Sequence, residues 1–311
     1  MLTYIIRKLL STIPTLLGVA LIVFILFNMV GGDPTYQMLG RHATTRQIEE
    51  LRHEYGFDQP KYIQFGHYLK QIVTFDYGKS YATKQPISRM ILDGIGPSLS
   101  IMIPAFFLTT VLAIGIALLV AYFRGRWIDK LGIVACIFGM SVSMLAYILF
   151  GQYFFAFKMG WFPISGYETA WPDRIQYILM PMIIFVIVSL GYDVRFYRTA
   201  IIEEVNQDYV RTARAKGLSE PRVFFKHVLK NSMIPILTNI VIEIPLLILG
   251  AFLLESFFGI PGLGSITIDA VHNSDFPVIK AMTTLVAILY ILGNLATDIL
   301  YTLVDPRVSL E

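Results

Sequence analysis

The sequence predicts an all-α membrane protein: six transmembrane helices, both termini on the cytoplasmic side, and a helical extracytoplasmic segment between the first and second spans. Three observations carry this. Of 311 residues, 55% are hydrophobic and only 15% charged, and the mean hydropathy is +0.63, far from a soluble globular composition. Six apolar runs are each long enough to cross a ~30 Å hydrocarbon core. The basic residues are sorted by loop, which is an orientation signal in membrane proteins.

The first run, Leu9 to Val30, follows Arg7 and Lys8 and so has the charged front of a signal peptide. At about 22 residues it is long enough to span. GGDP follows it rather than a small-x-small cleavage site, and Gly31 and Pro34 stop a helix, so the run is expected to remain as a span. From Pro34 to Gly96 the chain is polar. Thr44 with Gln47 makes a capping box for a helix ending near Gly56, and a second helix is expected from Pro60 to Phe75. In the latter, Tyr62, Phe65, Tyr68, Leu69 and Ile72 recur at helical spacing, giving one apolar face. That segment suits either a contact for a soluble delivery protein or a packed cap. The remaining runs are Ser98 to Phe123, Leu131 to Phe157, Gln176 to Phe196, Met233 to Glu255 and Ala281 to Val304, with Pro104, Pro181, Pro235 and Pro245 marking expected bends. The N-terminus, second loop, fourth loop and C-terminus carry fourteen Lys and Arg, against three in the short loops of the other side. This places the fourth loop in the cytoplasm and 34–96 outside.

The fourth loop has a grammar of its own. Asp208 is a candidate cap for a short helix through Lys216, Gly217 suits the left-handed position after it, Ser219 is a candidate cap for a second helix, and Pro221 is tolerated in that helix's first turn. Such a helix presents Arg211, Arg214 and Lys216 beside small Ala213 and Ala215, the make-up of a docking surface.

This stretch resembles the coupling loop, or EAA motif, of permease subunits in bacterial ABC importers, specifically the dipeptide/oligopeptide/nickel branch and the first of its two permeases. Ala213 and Gly217 match the motif's second alanine and its glycine. Arg211 stands where the general motif has glutamate, Thr212 replaces the first alanine, and the late proline is Pro235; the peptide branch commonly departs in the same way, as in its RTARAKGL run. IPTLLGVALIVF with GGDP, GWFPISGY, and ESFFGIPGLG with the closing DPRV resemble the same branch, so the likeness covers nearly the whole chain. It implies an N-terminal transmembrane helix (1–33), an extracytoplasmic segment (34–96) and a permease core (97–311) with its coupling loop at 197–232. Asp208, Tyr209, Arg211, Thr212, Ala213, Arg214, Lys216, Gly217 and Leu218 become the candidate ATPase-coupling residues. The implied partners are a homologous second permease, two cytoplasmic ATPases that hold the ATP and Mg, an extracytoplasmic solute-binding protein and the lipid of a bacterial cytoplasmic (inner) membrane, with peptides or similar solutes as cargo and no cofactor in this chain.

Other chemistries find little support. A net charge of +3 gives no footprint for nucleic acid. Gly78-Lys79-Ser80 lacks the glycine that a phosphate loop needs five residues earlier, where Val73 stands. The five histidines show no ligand spacing, no Ser-His-Asp arrangement is evident, and Cys136, the single cysteine, lies in an apolar run. No catalytic or metal-binding residue is therefore named. Glu243, in NIVIEIPLLILG, is the one informative intramembrane acid. At ~2.5 to 3.5 kcal/mol for an ionisable group at a helix centre, it should face the bundle interior or a wet cavity. It then serves either a cationic group of the cargo or a hydrogen bond to a neighbouring helix. A proton-coupled secondary transporter using Glu243 is the alternative function, but the halves of the chain show no internal repeat. A scaffold without transport would need neither Glu243 nor proline-broken spans. Glu255 reads as an interfacial or capping group near a span end.

Overall fold

A computed structural model describes residues 2–30, 35, 44–54 and 56–304. Among these the chain is helical throughout, with no strand beyond one isolated bridge between Lys79 and Pro86. GGDP and DPRV, two stretches of the resemblance, lie outside the described residues apart from the helix ends that flank them.

Five helices are long and apolar enough to cross a membrane, and a sixth span results if one bent pair counts as a single crossing. The bent pair replaces the straight third span expected from the sequence. Trp127–Ser141 and Met144–Lys158 meet at 88°. No proline causes this bend. Val142 is extended, and Ser143 caps the new helix by accepting from the Ala146 N–H at 3.3 Å, so the chain restarts in a new direction. By contrast Pro104 and Pro181 lie inside unbroken helices, Ile87–Tyr122 and Arg174–Val205, and Pro235 lies inside Leu229–Glu243. Only Pro245 accompanies a change, from α-helix to the 3-10 turn Ile244–Leu249, after which Gly250 turns the chain with φ +71° into Phe252–Phe258.

Ile87–Tyr122 is the mast of the fold. At 36 residues it is ~54 Å long and outreaches the hydrocarbon core. The boundary expected at 96/97 thus falls within a helix, and the expected loop start at 197 falls within Arg174–Val205. The mast packs along Arg174–Val205. Toward its C-terminal end, Ala113, Ala117 and Ala121 share a buried cluster with Val194, Tyr197 and Ile201. Its first turns, Ile87 and Ile91, share another with Tyr77, Leu263, Val278 and Met282. Small residues dominate the mast's side of the first cluster and branched ones its side of the second.

The segment between the first two spans follows its sequence signals. Thr45–Glu54 opens with the expected capping box: Thr44 N–H donates to Gln47 Oε1 at 3.0 Å and Gln47 N–H to Thr44 Oγ1 at 3.4 Å. Lys61–Thr74 runs between Pro60 and a left-handed Phe75. Tyr68 on its apolar face is buried with Ala20, Val23 and Phe24 of the first span. This helix is packed onto the bundle rather than held away from it.

Candidate coupling loop and intramembrane acids

Between Arg174–Val205 and Leu229–Glu243 lies the short helix Asp208–Ala215. It begins one residue earlier than its cap was expected: Gln207 holds the cap position, and Asp208 is already helical and makes no capping bond. Asp208 still places an acid in the first turn, where the helix dipole favours it. The C-terminus closes by two reverse bonds, Gly217 N–H to Arg214 O at 2.9 Å and Leu218 N–H to Ala213 O at 3.4 Å, with Gly217 at φ +78°. This is the Schellman closure, and its need for positive φ explains the glycine. Ser219 takes the cap position of the next helix without a side-chain bond, and Pro221 sits in its first turn.

The helix has two faces. Val210 and Ala213 are buried among Ala117, Ala121, Tyr197 and Ile201, with Tyr209 and Leu218 packed at the edge. Asp208, Arg211, Thr212, Arg214, Ala215, Lys216 and Gly217 are exposed. Ala213 therefore faces the chain's own spans, and its small size sets how closely the helix seats on them; the sequence had suggested that it keeps an outward face slim. Ala215 alone plays that outward part. Of the three cations expected on the surface, Arg214 is engaged within the loop, its guanidinium forking onto Glu220 at 2.8 and 3.2 Å across the Gly217 corner. Arg211 reaches Asp208 at 3.4 Å in a fully solvated pair of little energetic weight.

Two further contacts fasten the loop. Tyr209 donates to Glu204, and burial, followed by that carboxylate, pushes its phenol up to about 12, so it remains a donor. At the base, buried Asp129 accepts from Arg198 Nη2 at 2.7 Å and from the Gly125 N–H at 2.9 Å, tying the second loop to the helix that leads into the fourth. The positive-inside count includes Arg198 but could not show its partner.

Glu243 closes Leu229–Glu243, half-buried, and accepts from Asn239 Nδ2 at 2.8 Å. Asp193 and Tyr197 lie on Arg174–Val205, both buried, and Asn239 lies beside the Tyr197 hydroxyl. A polar patch thus bridges the two spans, and Glu243 is one member of it rather than a lone charge.

The family model described as binding-protein-dependent transport system inner membrane component matches residues 113–310, and the companion model for the N-terminal part of such membrane components matches residues 1–102. The chain belongs to this permease family. Relatives include the glutathione transport system permease protein GsiC of Salmonella typhimurium and of Escherichia coli K12, each 34% identical over 308 residues that cover 99% of both chains, and that of Salmonella typhi at 33% with the same coverage. The protein is an inner-membrane permease subunit of a binding-protein-dependent ABC importer, a transport component and not an enzyme. The proton-coupled alternative falls with that assignment.

The most consequential residue that sequence reasoning underweighted is Glu255. Of the two roles left open for it, interfacial or capping, the structure gives the second, and it is fully buried. Oε1 accepts from the Ala251 N–H at 3.1 Å, and Oε2 from Gly264 at 2.7 Å and Ser265 at 3.3 Å, while Ser98 Oγ accepts from the Leu263 N–H at 2.8 Å. The carboxylate and Ser98 thereby cap the start of Leu263–His272 from outside the helix. The glycines leave room for it. A Cβ at Gly250 or Gly262 would overlap the carboxylate, and one at Gly264 would lie 2.8 Å from it and from the Phe252 backbone. GWFPISGY and ESFFGIPGLG also prove to be one unit of the permease: Gly166 N–H donates to Phe258 O at 2.7 Å, and Gln152 Nε2 bridges Ile164 O and Phe257 O at 3.0 and 2.9 Å. The signal was in the sequence as glycines five before and seven and nine after Glu255, the positions where a Cβ would meet its carboxylate.

Proposed function

We propose that this permease pairs with a homologous second permease to form the pathway for small peptides or peptide-like solutes, and that Asp208–Ala215 docks on a cytoplasmic ATPase. Two ATPases hold the ATP and Mg, and an extracytoplasmic binding protein delivers the cargo. The observation that carries the coupling reading is the two-faced helix: Val210 and Ala213 fix it to the spans, while Arg211, Thr212, Ala215 and Lys216 stand free of the bundle. Such an element moves with the spans and offers a partner a small basic surface. Peptide-like cargo is supported by relatives named as glutathione transport permeases.

The test is reconstitution of the permease with the second permease and ATPases of its own operon in proteoliposomes carrying the binding protein outside. Accumulation of labelled glutathione or dialanine should require ATP on the ATPase side. Peptide accumulation without ATP, or ATP turnover indifferent to the permease, would overturn the reading.

A further inference from the structure

The helix Trp127–Ser141 packs one side along Arg174–Val205 and leaves the other uncovered. On that open side Trp127, Leu131, Val134 and Phe138 recur at steps of four, three and four residues, each 60% exposed or more. They form one stripe along the helix. Its cytoplasmic end is basic, with Arg126 and Lys130 exposed beside Trp127. The acid of this stretch is turned the other way: Asp129 is buried, accepting from Arg198 Nη2 at 2.7 Å and from the Gly125 N–H at 2.9 Å, with Gly125 at φ +81°. Arg126 lies over the Phe123 ring, 5.7 Å from its centroid, and Arg124 reaches Asn206 Oδ1 at 3.4 Å. The corner is thus a tied turn whose inner side is neutralised and whose outer side offers cations and an indole.

Its depth follows from the chain. The apolar run of the mast ends at Phe123 and the next begins at Leu131, so Arg124 to Lys130 lie where the hydrocarbon ends on the cytoplasmic side. At that level tryptophan rings sit among headgroups, and Lys and Arg attract anionic lipid. We propose that Arg126, Trp127 and Lys130 hold the headgroup of an anionic phospholipid of the cytoplasmic leaflet, whose acyl chains lie along Leu131, Val134 and Phe138. Continuity decides for lipid over an ATPase: a soluble partner would meet the cations but could not follow the stripe into the hydrocarbon. Through Asp129 and Arg198 the site adjoins the span that leads into the proposed coupling loop.

Brominated lipids quench a tryptophan that touches them, and Trp161→Phe with Trp171→Phe, both exposed positions, leaves Trp127 as the single reporter in the full-length permease. In nanodiscs of phosphatidylcholine with a minority of phosphatidylglycerol, bromine is placed either on the phosphatidylglycerol or on an equal number of phosphatidylcholine molecules. Quenching should be at least about twofold stronger from phosphatidylglycerol, since each Lys or Arg near the surface enriches anionic lipid roughly fivefold. Arg126→Gln combined with Lys130→Gln should bring the two labels to equality. Nanodiscs made wholly of brominated phosphatidylcholine should still quench that variant, which shows that its fold and depth are kept. Equal quenching by the two labels in the parent, a preference that survives the double variant, or no quenching by any label would overturn the site. The importer assembled with its second permease and ATPases should show the same preference; protection of Trp127 on assembly would give this face to a subunit and overturn the lipid assignment.

Discussion

Replacing Glu255 probes whether the ESFFGIPGLG hairpin is held by its carboxylate. In Glu255→Gln the side chain keeps its shape, but only one of its two terminal atoms accepts. The amide oxygen can retain the Gly264 and Ser265 N–H groups, leaving the NH₂ pointing at the Ala251 N–H, donor against donor. Losing one buried bond of this kind costs about 1–3 kcal/mol. Glu255→Ala strands all three N–H groups in a site with no solvent, so the cost is at least about 3 kcal/mol and opens a void among the glycines besides. Gly262→Ala reaches the same end from the other side, because its Cβ would displace the carboxylate. Thermal unfolding of the detergent-purified permease, followed by size-exclusion chromatography of a fluorescent fusion, should rank parent above Gln and Gln above Ala, with Gly262→Ala near the bottom. A Glu255→Ala variant as heat-resistant as the parent would refute the claim that this carboxylate holds the hairpin.

At the coupling corner, nothing lies within 4 Å of a Cβ built on Gly217, so Gly217→Val meets only backbone strain, about 1–2 kcal/mol for positive φ and more for a β-branched residue; uptake and ATPase stimulation should fall with membrane levels unchanged, and Gly217→Asn, tolerant of that φ, should restore much of both. Parental transport by the valine variant would detach the corner from coupling. Ala213→Trp enters a buried site and should cost roughly 1–3 kcal/mol or more by overpacking, so the amount of monodisperse protein should drop along with transport; normal yields with pure uncoupling would instead point Ala213 outward. In a Cys136→Ser background, an impermeant thiol reagent should label Gln85→Cys from outside and spare Ser219→Cys, both positions being exposed, and the reverse pattern would overturn the orientation. Glu243→Gln should weaken uptake of peptides with a free amine more than of N-blocked ones; equal effects would assign Glu243 to its bond with Asn239.

Local signals were legible wherever the physics is local. The Thr44–Gln47 capping box, the helix between Pro60 and Phe75, and Gly217 after the coupling helix each depend on a few consecutive residues, and each appears where expected. What could not be read depends on residues far apart in the chain. Hydropathy weighs Leu131 to Phe157 as one run because it is blind to the direction change at Val142, and it cannot say that prolines at 104, 181 and 235 would be absorbed within helices. Ala213 was assigned to the wrong face because a short helix with alanines at two positions has no unique apolar side until the alanine stripe of the mast is known to lie beneath it. Glu255 was discounted by its nearness to a span end, when the 3-10 turn and the Gly250 turn bring the chain back over it.

The fastening of the proposed coupling loop bears on how movement would pass through it. A surface helix tethered only by its ends would yield to a moving partner without displacing the spans. Here Val210 and Ala213 are sunk into the cluster that includes Ile201 of the preceding span, Tyr209 bonds back to Glu204, and Arg198 is locked to Asp129. The helix thus seats on the Arg174–Val205 span, which in turn packs along the mast, and Val223, Phe224 and Val228 beyond the Gly217 corner join the same buried cluster. On its other side the Gly217 corner, bridged by the half-exposed Arg214–Glu220 pair of small energetic weight, leads into the next span. The helix is therefore packed toward both spans, and the two ion pairs that brace it differ in burial. Arg198→Ala isolates the buried brace, since it leaves buried Asp129 without its cation, at about 3–5 kcal/mol for a broken buried pair. It should impair coupling more than Arg214→Ala, which removes a half-exposed pair worth about 0–1 kcal/mol. Comparing ATP hydrolysed per peptide imported for the two variants measures the difference, and a larger loss from Arg214→Ala would mean that force travels through the corner instead.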